Sequence, residues 1–356
     1  MIVESPADFL SAPLIASEYQ RHLQQYFKVG NKTWLLRRLE NSVFASQLQL
    51  LWGCSDFVGD QCIANPDIFE ALVESGDLEC CYSDNRYLQL LHPQLMVAEN
   101  EEQLSQCLRV FRRREMIRIV WRDFTRQASM IETARDATLL AEACINGALD
   151  ILHPLSCLQM GTPVSHNGEE QRLVVLAMGK MGAHELNISS DIDLIFAYPE
   201  SGQTEGGERS ISNQEFFVRL GQKLIAALDR QTEDGFVFRV DMRLRPYGQS
   251  GALVLNFDAL EEYYLTQGRE WERYAMIKAR VVAGVAASGP LLHNMLQPFV
   301  YRKYLDYGAI ESLRDLKRLI NRDVSRKGLQ DNIKLGEGGI REVEFIAQTL
   351  QLIRGG

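Results

Sequence analysis

Two aspartates separated by a single residue are the part of the sequence best suited to chemistry. Asp191 and Asp193 open the run DIDLIFAY at 191–198, whose apolar residues predict a strand covered by helices. Side chains alternate along a strand, so both carboxylates project from one face, roughly 6–7 Å apart at ~3.3 Å rise per residue. Two carboxylates this close repel each other unless positive charge lies between them. A divalent cation that prefers oxygen ligands, such as Mg²⁺, supplies that charge.

A glycine turn precedes this pair. Gly179 and Lys180 follow the apolar run LVVLAM at 173–178, and ten residues separate Lys180 from Asp191. Glycine lets backbone N–H groups approach phosphate oxygens that a side chain would block. The spacing therefore predicts a phosphate-binding turn beside the carboxylates.

A third carboxylate, Asp241, lies in the alternating run FVFRVDMRL at 236–244. The alternation predicts a third strand with Arg239, Asp241 and Arg243 on one face. Three acidic side chains from neighbouring strands suit two metal ions about 3.5–4 Å apart, which activate an attacking oxygen and stabilise a leaving one. An Asp-x-Asp pair by itself also occurs at strand ends and solvated sheet edges. The turn, the flanking strands and Asp241 together favour the metal site.

Composition narrows the function classes. The chain has 356 residues, 38 basic and 47 acidic, and a formal net charge of −9, which argues against a long nucleic acid as partner. Seven cysteines without a Cys-x-x-Cys pair predict neither a disulfide framework nor a structural zinc site. The acidic N-terminal segment does not resemble a secretory signal, and no run of about 18 apolar residues predicts a membrane span. We expect a cytoplasmic protein that does not bind membranes.

Hydrophobic periodicity predicts three regions: a helical region at 1–155, a core with strands at 156–256, and a second helical region at 257–356. Within the first, Gly59, Asn65-Pro66 and His92-Pro93 are predicted to interrupt helices, and 131–152 to form one long helix. A glycine-rich loop at 201–209 and a helix at 213–231 should follow the second strand. For Arg112-Arg113-Arg114 we expect a solvated helix face, with phosphate or protein docking as the alternative.

Several long strings carry a resemblance to a known family. They are MGKMGAHELNISSDIDLIF at 178–196, DFV at 56–58 with NP at 65–66, FRRR at 111–114, DGFV at 234–237, RVDMRLRP at 239–246, WERYAMIKAR at 271–280 and NIKLGEGGIREVEF at 332–345. Together they resemble the glutamine synthetase adenylyltransferase family across nearly the whole chain. The residues LNISSDID at 186–193 and the predicted helical region before the strands are similar to its N-terminal, adenylyl-removing unit.

The resemblance implies an α+β fold: a nucleotidyltransferase-type, polymerase beta-like mixed sheet flanked by N-terminal and C-terminal helical regions. It implies removal of AMP from a tyrosine of adenylylated glutamine synthetase by phosphorolysis, which releases ADP. The implied cofactor is Mg²⁺, with Mn²⁺ as the alternative, and the implied partners are adenylylated glutamine synthetase, the PII signal protein, phosphate, ADP and ATP.

The resemblance also implies roles for individual residues. Asp191, Asp193 and Asp241 would bind the metal and act in catalysis. Nucleotide and phosphate would be held by Gly179, Lys180, Gly182, Ser190, Arg243, Arg245, Lys278 and Arg341. Glu342 and Glu344 either contribute to the site or only pack a helix on the core.

Three functions stay open at this point. The first is phosphorolytic removal of AMP. The second keeps the site and transfers AMP from ATP to glutamine synthetase or to another acceptor. The third is a PII-binding regulatory module without catalysis, which the three intact carboxylates disfavour.

Overall fold

The computed structural model describes residues 13–286, 288–301, 307–329 and 331–354. The acidic N-terminal segment, for which we predict that it is not a secretory signal, lies mostly outside these described residues. The fold has two compact units, Met1–Ile151 with His184–Ser190 and Ala227–Arg239, and Leu152–Ala183 with Asp191–Ala226 and Val240–Gly356. Helices flank a small mixed sheet, which confirms the predicted α+β fold class. The three-region division stays a prediction.

The first unit is built from helices that follow each other closely. They are α1 (Pro13–Val29), α2 (Lys32–Leu39), α3 (Ser42–Cys54), α4 (Asp56–Ala64), α5 (Pro66–Glu74), α6 (Arg86–Leu95) and α7 (Glu101–Phe124). The side chains of Asn31, Asn41 and Asn100 accept hydrogen bonds from the first backbone N–H groups of α2, α3 and α7. Buried aromatic residues fill the core between them, with ring centroids of Trp52 and Phe69 5.9 Å apart.

Two of the three predicted helix interruptions in this unit are wrong. Gly59 lies inside α4 and Pro93 inside α6. A Cβ added at Gly59 would lie 2.5 Å from the ring of His22, so this glycine permits close helix packing. Only Asn65-Pro66 separates two helices, with the proline at the start of α5, where its missing N–H costs nothing.

The prediction of a solvated arginine face on α7 is also wrong. The side chains of Arg113 and Arg114 are only 11% and 20% exposed. Arg114 pairs with Asp77 and Glu115. Arg113 donates to the Asn65 side chain at 2.7 Å and to the Asp234 carbonyl at 2.8 Å. Tertiary contacts therefore bury a run of charge that the sequence alone assigns to water.

A long helix, α8 (Met130–Met160), includes the predicted 131–152 helix and continues through Pro154. The helix predicted at 213–231 is α10 (Asn213–Asp229). Among the described residues, no helix is both long and apolar enough to cross a membrane. All seven cysteines are free thiols.

The second unit holds the sheet and the remaining helices. Its strands are β1 (Thr162–Pro163), β2 (Val174–Ala177), β3 (Ile192–Tyr198), β4 (Thr204–Glu205), β5 (Val240–Asp241), β6 (Val254–Asn256) and β7 (Arg280–Ala283). Its further helices are α9 (Gly179–Gly182), α11 (Phe257–Thr266), α12 (Glu270–Met276), α13 (Ser288–Val300), α14 (Tyr307–Arg326) and α15 (Ile340–Arg354).

The main sheet has the order β5-β3-β2-β7, with β6 also paired to β3. β2 runs antiparallel to β3 and β7, whereas β5 and β6 run parallel to β3. Val174, Leu176 and Ile195 are almost fully buried and pack with residues of α11 and α13. The continuous apolar runs that predict covered strands are confirmed in β2 and β3. β1 and β4 form a separate two-stranded sheet, with β4 inside the predicted glycine-rich loop.

The predicted third strand at 236–244 is reduced to the two residues of β5. Val237 and Phe238 donate their backbone N–H groups to the carbonyl of Leu228 rather than to a strand, at 2.9 and 3.0 Å. After Asp241 a turn begins, because the N–H of Arg243 donates to the Asp241 carboxylate at 2.8 Å. The prediction of nine extended residues is therefore wrong, although Asp241 itself lies in the strand.

Candidate active site

Asp193 and Asp241 are direct partners across two parallel strands. The two residues are in register in the β3–β5 pair, one residue after the Ile192–Val240 pair. Residues in register on neighbouring strands point to the same face of the sheet. The sheet therefore brings together two of the three aspartates predicted as metal ligands.

Asp191 lies just before β3 and is exposed to solvent. It is two residues from Asp193, and its carboxylate acts electrostatically on Asp193. All three predicted residues thus lie near one end of β3, with Asp191 on the solvent side.

The ionisation of the site follows from this crowding. Burial, followed by the neighbouring carboxylates of Asp241 and Asp191, raises the pKa of Asp193 to about 6. The opposite shift occurs at Asp241, whose pKa is lowered by hydrogen bonds from Arg243. The Nε of Arg243 donates to the two carboxylate oxygens of Asp241 at 3.0 and 2.8 Å. The negative charge of Asp193 is therefore less well compensated than that of Asp241.

The predicted glycine turn is a single helical turn, α9, between β2 and β3. Gly179 adopts a left-handed conformation with φ +55°, and an added Cβ would lie 3.2 Å from the Oδ2 of Asp193. An added Cβ at Gly182 would lie only 1.7 Å from the carbonyl oxygen of Lys278. Both positions thus require glycine for reasons visible in the fold, and contact of either with phosphate stays a prediction.

The predicted cations occupy different settings. Lys278 pairs with Glu344 of α15. Arg245 directs its guanidinium to backbone carbonyls of its own turn, including that of Met242 at 2.8 Å. Lys180 lies within α9, and Arg341 within α15.

Ser190 belongs to the other compact unit and lines a cavity there. The roles of Lys180, Ser190, Arg243, Arg245, Lys278 and Arg341 in binding nucleotide or phosphate stay predictions.

Two residues near the site, Arg280 and Lys334, escape the sequence argument, and a third, Glu344, has a role that the sequence leaves open. Arg280 donates to the carbonyls of Gly182 at 3.0 Å and Met181 at 3.1 Å, so it holds the end of the glycine turn. Glu344 pairs with Lys278. The charge of Lys334 lowers the pKa of Asp193 in opposition to the carboxylates. Each acts over a long separation in sequence, and only the strings at 271–280 and 332–345 indicate their importance.

The donor set at β3 and β5 suits a hard divalent cation, because it offers carboxylate oxygens around one carboxylate with an elevated pKa. The three carboxylates are not drawn tightly together. Within the described ranges, only Glu18, His22 and Asp56 bring three ligand atoms within 4.8 Å of one another. There, Arg21 already pairs with Glu18 at 2.7 Å and Asp56 at 2.6 Å, which supplies the positive charge an ion would bring.

Comparison with known proteins gives the family. The sequence model described as glutamate-ammonia ligase adenylyltransferase matches residues 45–292. The chain belongs to this family. A second model, described as GlnD PII-uridylyltransferase, matches residues 314–356. The resemblance inferred from the sequence strings is thereby confirmed.

Curated relatives agree with this assignment. The chain is 56% identical over 91% of its length to the bifunctional glutamine synthetase adenylyltransferase/adenylyl-removing enzyme of Pseudomonas aeruginosa, of which it covers 33%. It is 48% identical over its full length to the protein of the same name from Shewanella oneidensis, of which it covers 37%. The corresponding protein of Pseudomonas syringae is 59% identical over 85% of the chain, which covers 31% of it. The chain thus spans about a third of the length of these relatives.

Proposed function

We propose that this chain is the adenylyl-removing unit of its family. It would remove the AMP group from adenylylated glutamine synthetase by phosphorolysis, which releases ADP. The observation that supports the proposal best is the register pairing of Asp193 with Asp241 beside the left-handed Gly179. Family membership favours glutamine synthetase as the substrate protein. We expect the reaction to occur in the cytoplasm.

The reaction balances without a redox partner. An oxygen of inorganic phosphate forms a bond to the phosphorus of the tyrosine-linked AMP, and the bond from phosphorus to the tyrosine oxygen breaks. The products are ADP and a tyrosinate that takes up a proton. Negative charge develops on the leaving oxygen and on the phosphoryl oxygens, so catalysis requires positive charge there.

A divalent cation, which we propose to be Mg²⁺ or Mn²⁺, would supply charge stabilisation when held by Asp191, Asp193 and Asp241. Other residues of the chain would position the groups of the site. Gly179 leaves room beside the Asp193 carboxylate. Arg280 fixes the end of the turn that carries Lys180. Glu344 orients Lys278. We propose that Lys180, Arg243, Lys278 and Arg341 face the phosphates of the substrates.

A regulatory partner is proposed on separate grounds. The match of residues 314–356 to a family described as a PII-uridylyltransferase favours a PII-type protein as a partner of the C-terminal helices. This proposal does not replace catalysis, because the carboxylates lie on β3, β5 and the residue before β3.

The test is incubation of the chain with adenylylated glutamine synthetase, inorganic phosphate and Mg²⁺, with chromatographic detection of ADP. We expect ADP from the unaltered chain and at least about a hundredfold less from Asp193→Asn, in line with loss of transition-state charge stabilisation. Asp258→Asn is the matched control, since Asp258 is an exposed carboxylate in the first turn of α11. Equal ADP formation by Asp193→Asn would contradict the proposal. Transfer of AMP from ATP to unmodified synthetase without ADP formation would favour the reverse assignment.

A further inference from the structure

The first unit contains a cavity of about 500 Å³, which is lined by Ser190 but by none of the three proposed metal ligands. Residues of α4 and α7 line it, together with segments 188–190 and 231–239. Its volume lies within the range of small-molecule sites, about 300–1,000 Å³. The charges of its lining are unequal, because four arginines face a single aspartate.

Two of these arginines are fully engaged by the protein. Arg109 donates to the carbonyls of Gly235 and Ser105 at 2.8 Å and of Arg230 at 2.5 Å. Arg113 donates to Asn65 and Asp234, as described above. These side chains form the wall and hold its segments together.

Arg112 differs from both. Its Nε is buried and, within the described part of the chain, has no hydrogen-bond partner. Its guanidinium lies over the rings of Phe236 and Phe238, at 5.6 and 5.9 Å from the ring centroids. Burial lowers the pKa of Arg112, as does the charge of Arg113. A buried guanidinium carries a desolvation cost that a paired oxyanion normally offsets.

The rest of the lining is aromatic and apolar. Phe57, Phe124, Phe236 and Phe238 contribute rings, and Val120 and Ile188 contribute aliphatic surface. The single acid, Asp234, lies 3.4 Å from Arg113. The cavity therefore offers positive charge at one place and flat apolar walls at others.

We propose that this cavity binds a small organic anion whose carboxylate or phosphate group pairs with Arg112 and whose flat body packs against the phenylalanine rings. The planar guanidinium suits either oxyanion, since both accept two parallel hydrogen bonds. The aromatic walls favour a ring-bearing ligand over the free inorganic ion. The inference is independent of the proposed function, because the residues that carry it, Arg112 and the phenylalanines, lie outside the candidate active site.

The experiment measures binding of phenyl phosphate, benzoate, inorganic phosphate and the neutral phenol to the full chain by calorimetry. EDTA is present throughout, so that metal-dependent binding at the carboxylates does not contribute. We expect one site for phenyl phosphate or benzoate, weaker binding of inorganic phosphate and none of phenol. The comparison of the two aromatic anions decides between phosphate and carboxylate as the preferred head group.

Two variants separate charge from ring contact. Arg112→Met keeps the aliphatic stem and should weaken the aromatic anion by at least about tenfold, the loss expected for a charged hydrogen bond. Phe57→Ala, at a ring that is 41% exposed, should weaken phenyl phosphate severalfold and leave inorganic phosphate unchanged. Arg230→Met is the matched control, because Arg230 is exposed and its side chain does not line the cavity.

Three results would overturn the proposal. They are absence of binding by every anion, equal binding by Arg112→Met, and a clear change of affinity in Asp193→Asn, which would place the anion near the carboxylates. Should Arg112→Met fail to fold, Arg112→Lys and Phe57→Ala still decide. The lysine variant keeps charge without the planar fork and should bind with intermediate strength, whereas unchanged affinity in both variants would contradict the inference.

Discussion

The guanidinium of Arg243 binds the carboxylate of Asp241, which lies two residues earlier in the sequence. Its Nε donates to both oxygens at 3.0 and 2.8 Å, and the backbone N–H of Arg243 donates to one of them at 2.8 Å. This carboxylate is the register partner of Asp193. Arg243 thus compensates the charge of Asp241 directly, whereas on Asp193 it and Lys334 act only through their electrostatic field.

Competition between Arg243 and a metal ion leads to the first prediction. Arg243→Gln should bind Mn²⁺ about threefold more tightly, because the exposed ion pair with Asp241 no longer has to be broken. Electron paramagnetic resonance of free Mn²⁺ measures the change. Arg219→Gln, which removes an exposed arginine paired with Glu215, should leave the affinity unchanged. Weaker binding by Arg243→Gln would show that the guanidinium supports the ion rather than competing with it.

The ionisation of Asp193 predicts a pH-dependent stability without metal. Its pKa in the folded protein is about 6, above the usual value near 3.9. The folded state therefore binds the proton more tightly than the unfolded state. Its stabilising contribution is complete below about pH 4 and is lost as the pH rises through about 6.

Removal of this charge should consequently stabilise the protein at neutral pH. With a discount for partial exposure, Asp193→Asn should raise the free energy of unfolding by about 1–2 kcal/mol at pH 7 and by nearly nothing at pH 4. Urea unfolding in EDTA at the two pH values measures this difference. Asp258→Asn controls for a general effect of net charge. Equal changes at both pH values would show that the pKa of Asp193 is not raised.

A buried ion pair in the first unit predicts a large stability effect. Arg118 and Asp136 lie 2.9 Å apart, with side chains only 0% and 3% exposed. Arg118→Met should cost about 3–5 kcal/mol, because it leaves a buried carboxylate without its partner. The double variant Arg118→Met with Asp136→Leu should recover part of the loss, since it removes both charges. Guanidinium unfolding of the unaltered chain, the two single variants Arg118→Met and Asp136→Leu, and the double variant gives the coupling, and additive losses would contradict it.

The site shows where sequence reasoning succeeds. The spacing in the sequence keeps Asp191 near Asp193, although Asp191 lies just before β3 and not in it. The strand position of Asp241 also follows from the sequence pattern. The length of the third strand depends instead on the Leu228 carbonyl. This carbonyl accepts hydrogen bonds from the N–H groups of Val237 and Phe238, so these residues do not pair with β3. No local pattern reveals a partner that lies about ten residues back in another element.

Glycine and proline lead to wrong predictions of helix ends for a related physical reason. Gly59 and Pro93 are predicted to break helices, yet both lie within them. At Gly59 the close ring of His22 requires a residue without a Cβ, so packing selects glycine there. Glu344 and Lys278 meet across 66 residues, a contact that only the folded chain specifies. Local propensity therefore fixes the elements more securely than it fixes their contacts.

The close approach at Gly182 leads to the last prediction. A Cβ at this position would lie 1.7 Å from the Lys278 carbonyl oxygen and 2.6 Å from that of Ala177. Both obstacles are backbone atoms, which cannot rotate away as a side chain can. Gly182→Ala should therefore destabilise the protein by about 3 kcal/mol, the upper end of the range for overpacking, and displace the turn that carries Lys180.

Gly289→Ala is the matched control for Gly182→Ala. Gly289 lies in the first turn of α13, and the nearest atom outside its own helix turn and chain neighbours is 3.9 Å from an added Cβ. That substitution should change the free energy of unfolding by no more than about 1 kcal/mol, because the following Pro290 already restricts the backbone at this position. Thermal unfolding of the two variants measures the contrast, and similar behaviour of both would show that the turn does not approach Lys278 this closely.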